Sequence, residues 1–169
     1  RGVAGTLMTN LALEHALGRL DIPFARAAVG DRYVLEMLQD RGWSYGGENS
    51  GHILALDRHT TGDGTVAALQ VLAALKESDG DLASLLGDLE LYPQKLINVP
   101  MVKGFPWESD DSIRGVREDI ENRLSGRGRV LLRASGTEPL LRVMVEGEDA
   151  TEVLEAAEEL ARVVREAGQ

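Results

Sequence analysis

Seven consecutive residues, Arg133-Ala134-Ser135-Gly136-Thr137-Glu138-Pro139, bring a guanidinium, two hydroxyls and a glycine into one short segment. It lies between two β-like runs, 129–132 and 140–145. A guanidinium presents a planar fork of donors that fits a phosphate. Ser135 and Thr137 add O–H donors, and Gly136 permits a backbone whose N–H groups face an anion. The chemistry such a set supports is anion binding. Taken alone, a turn of Ser, Gly, Thr and Pro also fits an ordinary hairpin, with Arg133 paired to a surface carboxylate.

A second segment, Gly46-Gly47-Glu48-Asn49-Ser50-Gly51-His52, points to a different ligand chemistry. If this loop is extended, Glu48 and Ser50, two residues apart, face the same side. One carboxylate and one hydroxyl can then hold two neighbouring sugar hydroxyls; the alternative is a solvated loop carboxylate. His52 could bond a substrate or move a proton, or serve as a satisfied polar group at the start of a strand. His15 and His59 read as structural or surface residues, and the three histidines show no metal-ligand spacing. Asp57 and Asp63 suit turn formation and capping better than a metal. Trp43, Phe105 and Trp107 are too dispersed for a stacking platform.

The elements that must position these residues follow from periodicity. Residues 3–8 read as a buried strand, and Asn10 or Thr9 caps a helix with Leu13, Ala16, Leu17 and Leu20 inward, stopped by Pro23. Residues 22–29 read as a strand, followed by the Gly30-Asp31-Arg32 turn and a helix burying Val34, Leu35 and Leu38 that ends at Gly42. Residues 53–56 form a further strand, and Asp63 caps a helix over 64–76. After the polar turn Ser78-Asp79-Gly80-Asp81 and a short helix, Tyr92-Pro93 breaks the chain. Beyond it the pattern predicts a strand (95–102), a helix (110–124), the two strands around the anion turn, and a last helix. Asp149 and Glu152 of that helix have capping-box spacing, and Val153, Ala157, Leu160 and Val164 face inward. The fold expected is a partial α/β three-layer domain over 1–91, then a small α+β domain over 92–169 with a mostly antiparallel sheet and helices on one face.

Composition narrows the partners. The 169 residues carry a formal charge of −10, which argues against nucleic acid or an anionic membrane as partner. Against that acidic background, an arginine-bearing turn is a local positive spot that can draw an anion. There are no cysteines, which fits a cytoplasmic protein and excludes thiolate metal sites. No uninterrupted apolar run approaches the ~20 residues of a membrane span. The chain opens at Arg1-Gly2-Val3 without a methionine and reads as a piece of something longer.

Together, the Gly-Glu-Asn-Ser-Gly-His and Arg-Ala-Ser-Gly-Thr segments resemble the α-D-phosphohexomutase superfamily. Val29-Gly30-Asp31-Arg32-Tyr33-Val34, Thr60-Thr61-Gly62-Asp63-Gly64 and Arg142-Val143-Met144-Val145-Glu146-Gly147 look most like its bacterial phosphoglucosamine mutase branch. The resemblance covers nearly the whole chain, as most of a third domain and all of a fourth. It implies that Glu48, Ser50 and His52 bind the sugar, and that Arg133, Ser135, Gly136, Thr137 and Arg142 bind the phosphate that is not reacting. It also implies that Gly30, Asp31 and Arg32 form another active-site loop. The implied activity is isomerisation of glucosamine 6-phosphate and glucosamine 1-phosphate, through a phosphoserine and a bisphosphate, toward cell-wall amino sugar. The family's Ser-His-Asn-Pro-type nucleophile loop and Asp-Gly-Asp-x-Asp-Arg-type magnesium loop are absent from these residues. The resemblance therefore puts the Mg²⁺ ligands and the catalytic serine in N-terminal domains of the same protein, and implies that this chain alone is inactive. A glucose or mannose phosphate mutase, and a non-catalytic phosphosugar-binding module, are the alternatives.

Overall fold

The computed structural model describes residues 1–78 and 80–168; Asp79 of the expected polar turn lies outside them. The chain divides into two compact units, Arg1–Leu91 and Tyr92–Gln169.

In the first unit, β1 (Val3–Thr6), β2 (Phe24–Ala27), β3 (Tyr45–Gly47) and β4 (Ile53–Ala55) form a sheet of order β2-β1-β3-β4. β1 is parallel to β2 and β3, and β4 returns antiparallel to β3. Helices α1 (Leu11–Arg19) and α2 (Asp31–Arg41) make the crossovers that parallel neighbours require. α2 covers the face carrying Ala4, Ala27 and Leu54, burying Val34 and Leu38. α1 stands on the opposite face, where its Glu14 pairs with Arg26 of β2 at 2.7 Å. Helices α3 (Gly64–Ser78) and α4 (Leu82–Leu86) complete the unit. Asp63 caps α3 by accepting the N–H groups of Thr65 and Val66.

Two sequence expectations are corrected here. α1 buries Leu11 and Ala12, whereas Leu13, Ala16 and Leu17 are half-buried and Leu20 is 69% exposed. Asn10 accepts the Ala12 N–H, so the helix starts early and turns its first residues inward. It also ends before Pro23. Asp21 adopts a left-handed φ of 54°, and the N–H groups of Leu20 and Ile22 both reach Leu17 O. In addition, Gly46 and Gly47 belong to a strand rather than a loop.

In the second unit, β5 (Gln94–Pro100), β6 (Gly128–Ala134) and β7 (Leu140–Gly147) pair in the order β5-β7-β6, antiparallel throughout. α5 (Asp111–Leu124) presents Ile113, Ile120 and Leu124, and α6 (Ala150–Ala167) presents Val153, Ala157, Leu160 and Val164. These pack with Val99, Val130, Leu132, Leu141, Val143 and Val145 of the sheet. The helical period of 3.6 and the strand period of 2 meet here in one core. Strand alternation then sends Arg142, Met144 and Glu146 of β7 to the face without helices. Asp149 caps α6 by accepting the Glu152 N–H, but the Glu152 carboxylate pairs with Arg127 at 3.0 Å, so only half of a capping box forms.

Candidate functional site

In the first unit the loops after β1, β2 and β3 gather at the carboxyl ends of the three parallel strands. The order β2-β1-β3 means that the chain crosses from β1 to one side and from β2 back to the other side of β1, the topological switch at which open α/β sheets bind ligands. Asn49 Nδ2 donates to Met8 O at 3.0 Å, tying the β3 loop to the β1 loop. Gly30 N–H donates to Glu48 Oε2 at 3.1 Å, tying the β2 loop to the same place. Gly30 has φ +130°, a conformation suited to glycine, at the start of α2.

The 48–52 segment is a hairpin connection and not an extended strand. Glu48 N–H donates to His52 O, and Gly51 N–H, at φ +93°, donates to Glu48 O. This turn still brings the predicted residues together. Ser50 Oγ lies 2.6 Å from Glu48 Oε1 and 2.6 Å from His52 Nδ1, and that nitrogen is 3.3 Å from Glu48 Oε1. The Glu48 side chain is 11% exposed and that of His52 is 46% exposed, so the cluster has a covered base and an open rim. It borders a cleft of about 330 Å³ lined also by Thr9, Leu13, Phe24 and Tyr45. A carboxylate, a hydroxyl and an imidazole in mutual contact can accept from and donate to adjacent hydroxyls of a polyol.

Asp31 and Arg32 do not join this cluster. They lie in the first turn of α2, where Asp31 accepts the Arg32 backbone N–H and Arg32 Nε pairs with Glu36 at 3.0 Å. That carboxylate raises the Arg32 pKa, first through the hydrogen bond. The other candidates of this unit serve structure. His59 Nδ1 accepts the Thr61 N–H, and Asp57 accepts the Tyr45 hydroxyl, which raises the tyrosine pKa.

In the second unit the β6–β7 turn is closed by Ser135 N–H on Leu140 O and by Glu138 N–H on Ser135 Oγ. Gly136 differs from expectation. Its φ is not positive and an added Cβ would meet nothing, so the turn does not need glycine for its shape. What glycine leaves is open space for a ligand to approach the backbone. Arg133 and Arg142 are direct cross-strand partners on the helix-free face. Like charges so placed repel. Nine other arginines pair with an Asp or Glu. These two have no carboxylate among the described residues, and Arg142 Nε is buried without any acceptor. In a chain of net charge −10, two opposed guanidinia without a carboxylate among the described residues can attract an anion.

Sequence reasoning missed the Gly30–Glu48 link and the opposition of Arg133 and Arg142. Neither has a local signal, although the alternation of β7 already placed Arg142 away from the helices. Among the described residues no group of three or more His, Cys, Asp or Glu could hold a metal ion, and no helix is long and apolar enough to cross a membrane.

A switch-point sheet carrying the Glu48–Ser50–His52 cluster is followed by a small antiparallel α+β unit carrying the Arg133 turn. The chain belongs to the phosphoglucomutase/phosphomannomutase family: its alpha/beta/alpha domain III model matches residues 1–92 and its C-terminal domain model residues 96–163. A phosphoglucosamine mutase of Dechloromonas aromatica (strain RCB) is 74% identical over 169 residues, covering 100% of this chain and 38% of that protein. One from Aromatoleum aromaticum is 62% identical over 166 residues, covering 98% and 37%. The chain thus spans under two fifths of the length of these curated relatives. The fold matches a solved Aspergillus fumigatus N-acetylphosphoglucosamine mutase in complex with GlcNAc-6P and magnesium. The TM-score is 0.78 at 21% identity, over 99% of this chain and 39% of that one.

Proposed function

We propose that this chain supplies the sugar-hydroxyl and distal-phosphate recognition of a phosphoglucosamine mutase, an intramolecular phosphotransferase interconverting glucosamine 6-phosphate and glucosamine 1-phosphate. The observation that carries the reading is the opposed Arg133–Arg142 pair, which has no carboxylate partner among the described residues. The names of the 74% and 62% identical relatives support the amino-sugar assignment.

Phosphoryl transfer is governed mainly by positioning and charge stabilisation. A phosphoserine elsewhere in the protein passes its phosphoryl group to the free hydroxyl of the bound sugar phosphate. The resulting bisphosphate turns over and returns its other phosphate to the serine. The sugar is therefore held in two opposite orientations. Glu48, Ser50 and His52 accept either presentation of the ring hydroxyls, while Arg133, Arg142, Ser135, Thr137 and the open backbone at Gly136 hold whichever phosphate is not reacting. Magnesium, when bound, would neutralise the transferring phosphate, and the reading assigns its ligands to a part of the protein outside these residues. The same holds for the serine.

The test is a panel of hexose phosphates given to the full-length protein, with Arg133→Ala beside wild type. Turnover of glucosamine 6-phosphate is expected, and the variant should bind phosphosugar about tenfold to a hundredfold more weakly, since a hydrogen bond to a charged group is worth roughly 1.5–3 kcal/mol. Turnover confined to glucose or mannose phosphates would assign a sibling mutase. Unchanged affinity in Arg133→Ala would make the turn a plain hairpin.

A further inference from the structure

The helix-free face of the second sheet holds two parallel rows of side chains that run across all three strands. One row is Gln94–Glu146–Arg129; the other is Asn98–Arg142–Arg133. Their layout is the same, with an amide on β5, a charge on β7 and an arginine on β6. In the first row the β7 residue is an acid, and Arg129 Nε closes on Glu146 at 2.5 Å. In the second the β7 residue is an arginine, so the row carries two positive charges and one neutral amide.

Resting on the anion-clamp reading above, we infer that Asn98 is a positioning residue of that clamp, orienting Arg142 and donating to the anion that Arg142 and Arg133 share. Directly paired strand residues have Cβ atoms about 4.5–5.5 Å apart, within reach of an amide and a guanidinium. Alternation puts Asn98 on the arginine face, because its neighbour Val99 is fully buried against the helices. Asn98 is exposed and its side chain makes no hydrogen bond to any described residue, while Arg142 Nε is buried and lacks an acceptor. An amide suits this place in two ways. Its Oδ1 accepts from the guanidinium without cancelling the charge, and its Nδ2 donates to a phosphate oxygen. A carboxylate at the same position would neutralise Arg142, as Glu146 neutralises Arg129.

Inorganic phosphate titrated into the 169-residue chain at fixed low ionic strength, followed by NMR or calorimetry, tests this. Asn98→Asp should bind about tenfold more weakly or worse, through the loss of one charge-assisted interaction. Asn98→Leu should lose severalfold, with the urea midpoints of both variants close to wild type. Gln94→Asp, which adds the same charge to the first row, beyond the intervening Leu96–Met144–Leu131 row, should stay within twofold. Asn98→Thr, a strand-compatible side chain without the amide, replaces the aspartate variant if that one does not fold, and should also bind more weakly. If the Asn98 variants bind like wild type while Arg133→Ala does not, the clamp stands and Asn98 has no part in it. If Gln94→Asp loses as much as Asn98→Asp, the effect is long-range charge and the inference falls. If wild type binds no phosphate, or Arg133→Ala binds as well as wild type, the clamp itself falls, and Asn98 with it.

Discussion

Glu48 carries two donors on one carboxylate, the Gly30 N–H on Oε2 and the Ser50 hydroxyl on Oε1. It therefore fastens two loops to each other, and in the proposed reading it also meets the sugar. Replacing it with Gln keeps the shape but removes one acceptor and the charge. Glu48→Gln should impair sugar turnover in the full-length protein while leaving inorganic phosphate affinity at the Arg133 turn unchanged. Both quantities are to be measured on the same variant. Equal loss in both would mean that Glu48 acts through the fold as a whole, and no loss in either would reduce it to a loop carboxylate.

At the scale of elements, two glycines separate close approach from empty space. Gly46 of β3 lies under α2; an added Cβ would sit 2.7 Å from Ala4 O and 2.8 Å from Val34 Cγ1. Gly46→Ala should destabilise by about 1–3 kcal/mol through overpacking against backbone. Gly115, inside α5, would meet nothing, and Gly115→Ala should stabilise by about 0.5–1 kcal/mol through helix propensity. Urea unfolding of the two variants reads both signs. The cap of α5 adds a pH dependence. Asp110 is held below the ordinary carboxylate range, first by the Ser112 hydroxyl and then by the Ile113 N–H. As pH falls, the unfolded chain takes up this proton before the folded one does. The cap's contribution is complete above the ordinary carboxylate range and is lost as pH falls through the depressed folded value. Asp110→Asn keeps an acceptor that does not titrate, and should remove this part of the acid sensitivity in a thermal melt series.

At the scale of the molecule, the two units are unequal. Among the described residues, sixteen buried apolar side chains form the core of the second unit and five that of the first. Burial of apolar area dominates stability, so the first unit should unfold at lower urea. Each unit has one tryptophan, Trp43 packed on the smaller core and Trp107 on the larger. Fluorescence of Trp107→Phe, which reports the first unit, should therefore show an earlier transition than that of Trp43→Phe, and coincident transitions would show one cooperative system. The separately made 169-residue chain should bind phosphate without turning over glucosamine 6-phosphate, because covalent transfer lacks a donor without the serine. Turnover by a preparation free of contaminating mutase would overturn that.

Much of what depends on near neighbours was legible in the sequence, although the inward face of α1 and the turn at 48–52 were not. The expected caps at Asn10, Asp63 and Asp149 accept N–H groups two or three residues ahead. The inward stripe of α6 follows from a 3.6-residue period, and the two-sided character of β7 from a period of two. The types and spacing of residues in the two loops admitted sugar hydroxyls and an anion as ligands beside a solvated carboxylate and a plain hairpin, and only the family resemblance favoured the former. Tertiary structure alone decided pairing between distant segments. Nothing local makes Gly46-Gly47 a strand, since glycine disfavours one; the close packing of Val34 and Leu38 over Gly46 does. Nor does any local rule bring Gly30 to Glu48, or align Asn98 and Arg133 with Arg142, because sheet register is set by the burial of the whole opposite face. The one-residue alternation that hides Val99, Leu141 and Val143 under the helices is the same constraint that puts two guanidinia, with no carboxylate among the described residues, opposite each other on the other side.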